Sequence, residues 1–170
     1  MTNRKIVVGV MGAGHGARPS DVALAERLGE LVAREGFVLL TGGRGVGIMA
    51  AANRGAKRVP SSITLGVSPS RRAPAEAEEE PLPDIDIEIF TGMGDGRNVI
   101  NVLSSDVVIA CGAGGAGTAS EAALALKSNR PLVLLSPTPE ARAFFESLGK
   151  VYVAESADDA LELVRKITGE

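Results

Sequence analysis

The sequence predicts an α/β sandwich in one domain over residues 1–170: a mainly parallel sheet of about six or seven strands, with helices on both faces. Three observations carry this. Short β-branched runs alternate along the chain with longer stretches of helical periodicity. Three glycine clusters each follow one of those runs. A length of 170 residues fits one domain with a substantial core.

The elements follow in order. Ile6 to Val10 reads as a buried strand. A helix runs from an N-cap at Ser20 to Glu35, with Leu24, Leu28, Leu31 and Val32 on one face and Gly36 as its stop. Phe37 to Leu40 is the second strand, Gly47 to Arg58 an Ala-rich helix, and Ile63 to Val67 the third strand. Ile85, Ile87 and Ile89 alternate with Asp86 and Glu88, which predicts a strand with one wet face. Arg97 to Ser105 is a helix, Val107 to Cys111 a strand, Thr118 to Ser128 a helix and Leu132 to Leu135 a strand. Pro139 to Leu148 is a helix, Val151 to Val153 a short strand, and Ala157 to Ile167 a closing amphipathic helix.

Residues 68–84 interrupt the alternation. They hold Pro69, Pro74, Pro81 and Pro83, the pair Arg71-Arg72, and the acidic set Glu76, Glu78, Glu79 and Glu80. This reads as a solvated loop. The alternative is a lid over a site, with Arg71 and Arg72 meeting an anion.

Composition narrows the function classes. Lys plus Arg number 18 against 21 Asp plus Glu, for a net charge of -3. That charge is no nucleic-acid footprint, and with no Trp, one Tyr and four Phe a base-stacking platform is not expected. One Cys and one His cannot build a Cys/His zinc site within one chain, so no protein-ligated metal is expected. A single Cys excludes an internal disulfide and suits a reducing compartment, hence a cytoplasmic protein. The first apolar run is too short for a signal segment, and no stretch approaches the roughly 20 apolar residues of a membrane span.

Glycine is the outlier, 21 of 170 residues. The clusters are Gly12-Ala13-Gly14-His15-Gly16, Gly42-Gly43-Arg44-Gly45-Val46-Gly47, and Gly112-Ala113-Gly114-Gly115-Ala116-Gly117. In a parallel sheet all three fall at the carboxyl edge, where ligands bind. Glycine lets the backbone approach a ligand, and the second and third clusters run into helix N-termini, which favour anions. The pattern predicts a crevice for a phosphate-bearing small molecule. A dinucleotide site fits poorly: Gly112, Gly114 and Gly117 match G-x-G-x-x-G, but Ser136 and Pro137 stand where the acidic residue belongs. No Gly-Lys-Ser/Thr follows any cluster, so there is no P-loop.

Five side chains have two readings each. Thr118 and Glu121 form a capping box, or Glu121 acts on a ligand. Arg97 at a helix start opposes the helix dipole, which indicates an anionic partner, with Asn101 one turn on; alternatively Arg97 pairs with Asp95. Cys111 is a small buried hydrophobe, or a thiolate near a metal-bearing ligand. His15, the only His, is a polar loop residue rather than a base.

Longer motifs resemble a known superfamily. Thr41 to Met49 is similar to the GGG-x-x-G-x-M segment, and Gly114 to Glu121 to the P-G-G-x-G-T-x-x-E signature, of the Rossmann-like superfamily that includes the lonely-guy (lysine decarboxylase-like) nucleotide phosphoribohydrolases. Thr91 to Asp106, Glu121 to Lys127 and Pro131 to Leu148 resemble the molybdenum cofactor carrier proteins of green algae and cyanobacteria. The likeness spans nearly the whole chain. Ala113 stands where the signature has Pro, and Arg97-Asn98 where the hydrolases carry Arg-Lys.

The resemblance implies a Rossmann-like three-layer fold and a protein that binds, shields and carries the molybdenum cofactor. The ligand's phosphate would sit on Gly114, Gly115, Gly117 and Thr118, with Gly42, Gly43, Arg44, Arg97, Asn101 and Glu121 completing the site. The metal would ride on the ligand's own sulfurs. Molybdenum enzymes such as nitrate reductase are the implied recipients, and a homo-oligomer is implied, a tetramer rather than a dimer. The Ala-Leu helix after Glu121 reads as apolar nearly all round, which agrees with burial by another subunit. The alternatives are a hydrolase releasing the free base from nucleoside 5'-monophosphates, with Arg97 and Glu121 catalytic, or a nucleotide sensor without turnover.

Overall fold

The computed structural model describes residues 4–71, 82, 84–112 and 114–170. Among the described residues, thirteen strands and α-helices build three layers. Seven strands, β1 (Val7–Gly12), β2 (Val38–Thr41), β3 (Ile63–Ser68), β4 (Ile87–Phe90), β5 (Val107–Cys111), β6 (Leu132–Leu135) and β7 (Tyr152–Ala154), form one sheet. Its order is β4-β3-β2-β1-β5-β6-β7, and every pairing is parallel. The six helices are α1 (Pro19–Arg34), α2 (Gly47–Ala56), α3 (Asn98–Ser104), α4 (Ala116–Lys127), α5 (Pro139–Leu148) and α6 (Ala157–Thr168). A 3-10 turn, Gly94–Arg97, leads into α3.

The two faces of the sheet are packed separately. Val8, Val10, Leu39, Ile109 and Val133 bury one face under α1, α2 and α6. Met11, Leu40, Val67, Val108 and Leu134 point the other way, with Val102 of α3, Ala122 and Ala125 of α4 and Phe145 of α5 over them. Strands buried on both faces read as continuous apolar runs, which is why β5 and β6 were plain in the sequence. The tightest helix contact is α1 on α2. A Cβ at Gly29 would overlap the Ala52 carbonyl, and one at Gly55 the Glu26 carbonyl, so these two positions admit only glycine without backbone movement.

Two local expectations are corrected. Ser20 is not the cap of α1: the helix begins at Pro19, its cap position is Arg18, and no side chain caps it. A proline preset for the first helical turn moves the start two residues earlier. The isoleucines of β4 do not face the core either. Ile87 is 49% and Ile89 42% exposed. β4 is the edge strand, and α3, seven residues long, packs over β1 rather than over β4. The proposed lid falls mostly on residues 72–81 and 83, outside those described; Arg71 is exposed and packs its stem against Gly92.

Candidate functional site

The chain order reverses at one place. From β1 the sheet grows outward through β2, β3 and β4, then resumes on the other side of β1 with β5. The carboxyl ends of β1 and β5 therefore diverge into loops on opposite faces, and a crevice opens between them. All three glycine clusters lie at this edge. The crevice has a volume of about 480 Å³, within the range of small-molecule sites. The first cluster supplies Gly12 to His15, the second Gly42 and Arg44, and the third Gly115 to Thr118.

The helix behind the third cluster is left open at its N-terminus. Helix α4 starts at Ala116 with Gly115 in the cap position, and no side chain caps it. The first-turn N–H groups of Ala116, Gly117 and Thr118 have no acceptor within the helix and face the crevice with the positive end of the helix dipole. The capping-box reading of Thr118 and Glu121 is thus corrected. The helix begins two residues before Thr118, so Glu121 lies past the first turn and cannot reach back to the cap.

Glu121 is held instead from a different helix. Arg97 Nη1 donates to Glu121 Oε1 at 3.0 Å, and Asn101 Nδ2 donates to the same oxygen at 2.8 Å. Arg97 Nη1 also donates to Asn98 Oδ1. Arg97 is only 6% exposed, and Glu121 and Asn101 are buried with it. Burial pushes the Glu121 carboxyl above the ordinary range, against the lowering pull of Asn101, Arg97 and Arg44. Two atoms in this cluster, Arg97 Nε and Asn101 Oδ1, have no hydrogen-bond partner among the described residues. The alternative pairing of Arg97 with Asp95 is not found; Asp95 lies 3.6 Å from Arg44.

A family model decides the kinship: that of the SLOG cluster4 family matches residues 5–161. The chain belongs to the SLOG cluster4 family. Solved structures carry the likeness over nearly its whole length. The molybdenum cofactor binding protein from the phototrophic bacterium Rippkaea orientalis is 46% identical with a TM-score of 0.91, over 98% of this chain and 99% of that one. The molybdenum cofactor carrier protein from Chlamydomonas reinhardtii is 42% identical with a TM-score of 0.87, over 98% and 100%. An uncharacterised protein of Archaeoglobus fulgidus is 40% identical over 131 residues, 76% of this chain and 80% of its own.

This SLOG cluster4 chain brings most of the expected site residues together. Gly42, Arg44, Arg97, Gly115, Gly117, Thr118 and Glu121 line the crevice. Asn101 stands behind Glu121. Gly114 opens instead onto a neighbouring apolar pocket of about 240 Å³ beside Phe145. Gly43 is not in the crevice wall. Its φ is +62°, and a Cβ there would lie 2.8 Å from the Ser68 nitrogen, so it is glycine for packing against β3. Cys111 does not line the crevice; it is buried among the α1 side of the core, and desolvation pushes its thiol up to about 12. It is the small hydrophobe of the two readings. His15, Met49 and Asp95 also line the crevice.

Glycine has different causes around the rim. A Cβ at Gly42 would lie 2.6 Å from Arg97 Nη2, so this glycine makes room for the buried guanidinium. Gly115 and Gly117 have open space where a Cβ would go and no positive φ. Neither packing against the described residues nor backbone strain requires glycine at these two positions.

Proposed function

We propose that this chain binds and carries the molybdenum cofactor, with the crevice at the carboxyl edge of β1, β2 and β5 as its seat. The observation that carries the reading is the uncapped, glycine-walled N-terminus of α4. A terminal phosphate fits it, accepting from the N–H groups of Ala116 to Thr118, with Arg44 adding a charge-assisted bond. Gly115 and Gly117 leave room for a flat pterin close to the chain. The residues present fit the group: when bound, it supplies its own dithiolene sulfurs to hold molybdenum. Arg97, Asn98 and Glu121 form the floor of the crevice, with Asn101 behind Glu121. Molybdenum cofactor binding and carrier proteins at 46% and 42% identity support the same reading.

The test is transfer. Protein mixed with molybdenum cofactor and desalted should activate cofactor-free nitrate reductase above an unrelated-protein control. An unchanged background refutes the carrier reading. We further propose molybdenum enzymes of that class as recipients and a cytoplasmic location. Carriage by a homo-oligomer is supported by Met93, Val99 and Leu103, large apolar side chains exposed on α3 and the turn before it; the tetramer rather than the dimer is proposed from the family resemblance. Sedimentation equilibrium showing only monomer would contradict it. The small molecule, not nucleic acid or membrane, is the partner that a net charge of -3 supports.

A second reading rests on the Arg97–Glu121 pair, whose two side chains both reach the crevice. In a nucleoside 5'-monophosphate phosphoribohydrolase the carboxylate would stabilise the cationic sugar transition state. Base release from AMP that is lost in Glu121→Gln would establish this activity. Absence of release from several nucleotides would remove it.

A further inference from the structure

The crevice contains an anion of its own. Arg44 is half exposed, and its Nη2 lies 3.6 Å from Oδ1 of Asp95, whose side chain is 92% exposed. Both residues line the crevice. Asp95 sits between two glycines on the 3-10 turn that ends in Arg97. The turn is anchored: the Gly94 N–H donates to the Pro69 carbonyl at 3.0 Å and the Gly96 N–H to the Met93 carbonyl at 3.1 Å. The carboxylate itself, almost wholly in solvent, can turn away without disturbing the core.

The deeper cation is not free on the same terms. Arg97 lines the crevice but is buried and already donates to Glu121 and Asn98. The charges of the crevice thus form two neutral pairs, one buried and one open. An incoming anion reaches Arg44 first, and Asp95 is there before it.

We propose that Asp95 sets the affinity and charge selectivity of the crevice: it holds Arg44 in the free protein, and a phosphate-bearing ligand takes Arg44 only by displacing it. This rests on the crevice being the ligand's seat. An open ion pair is weak, so a dianionic phosphate that also meets the α4 N–H groups displaces the carboxylate. A singly charged carboxylate or sulfonate has less to offer than Asp95 already does. Competition from Asp95 for Arg44 keeps binding reversible. A protein that must hand its ligand on needs that.

The experiment titrates inorganic phosphate by calorimetry at low salt into the wild type, Asp95→Asn, Asp95→Ala, Arg44→Ala and Asp95→Asn/Arg44→Ala, with cofactor retention measured in parallel. The exposed position of Asp95 makes both single variants expected to fold, and thermal melts check this. Both should bind phosphate about threefold to tenfold more tightly than the wild type. The double variant should bind no more tightly than Arg44→Ala alone. Equal or weaker phosphate binding in the Asp95 variants overturns the proposal, as does a gain that survives Arg44→Ala, or no phosphate binding in any variant. A wild type that retains no cofactor, beside a gain in the Asp95 variants, refutes the carrier reading and leaves the role of Asp95 standing.

Discussion

Gly117→Ala should stabilise the protein and weaken its ligand binding, two effects of opposite sign from one methyl group. Gly117 is the second residue of α4, and a Cβ there meets nothing within 4 Å. Alanine restricts the unfolded chain and favours the helix by up to about 1 kcal/mol in a helix interior, and roughly half that in a first turn. For a chain of this size the melting temperature should rise by about 1–2 °C. Gly117 also lines the crevice beside the first-turn N–H groups of α4, and an added methyl takes space from a ligand seated on them. An anion seated there must retreat and lose one charge-assisted hydrogen bond or more, each about 1.5–3 kcal/mol. Retention of molybdenum cofactor should fall about tenfold to a hundredfold. The assays are a thermal melt and the nitrate reductase transfer assay on the same preparations. Unchanged transfer would show that the ligand does not lie on Gly117. A lower melting temperature would show that glycine is needed there for packing, and the reasoning from open space would fail.

Three further outcomes follow from the same geometry. Glu121→Gln leaves the buried Arg97 guanidinium without its counter-charge, so it should destabilise by about 3 kcal/mol, read as a shift in urea midpoint at constant slope; a shift near zero would mean that Arg97 reaches solvent. Because burial raises the Glu121 carboxyl in the folded state, its proton returns as pH falls while an ordinary carboxylate would still be ionised. The crevice then loses a negative charge and Arg97 its partner, so sulfate, which keeps its charge, should bind more tightly as pH falls; Glu121→Gln should weaken that dependence, and an unchanged slope would exclude Glu121 as a source. Gly29→Ala forces a methyl onto the Ala52 carbonyl and should destabilise by about 1–3 kcal/mol without altering crevice affinity in the surviving folded fraction, as a melt and a phosphate titration would show.

The strand and helix order was legible in the sequence because periodicity is local. So was the edge at which the glycines gather, since parallel strands put every β-to-α loop on one side. Contacts set by tertiary packing were not legible. Thr118 and Glu121 have capping-box spacing, but whether a helix starts at residue 116 or 118 depends on the loop before it. The partners of Glu121 lie on α3 and the turn before it, brought near by a crossover that no local window contains. Asp95 stands two residues from Arg97, yet it faces Arg44 because Arg97 turns inward. The isoleucine alternation of β4 was visible, but not that α3 leaves that face uncovered. Gly43 and Gly115 look alike in sequence; only the first is required by packing, against Ser68.

The central claim is that molybdenum cofactor occupies this crevice. The most direct measurement is molybdenum and pterin content per subunit in protein isolated, without added ligand, from cells that make the cofactor and from cells blocked in its synthesis. The account predicts molybdenum and pterin together in the first preparation, neither in the second, and a marked loss from the first with Gly117→Ala. Equal content in both preparations, or a nucleotide in place of the pterin, would contradict it.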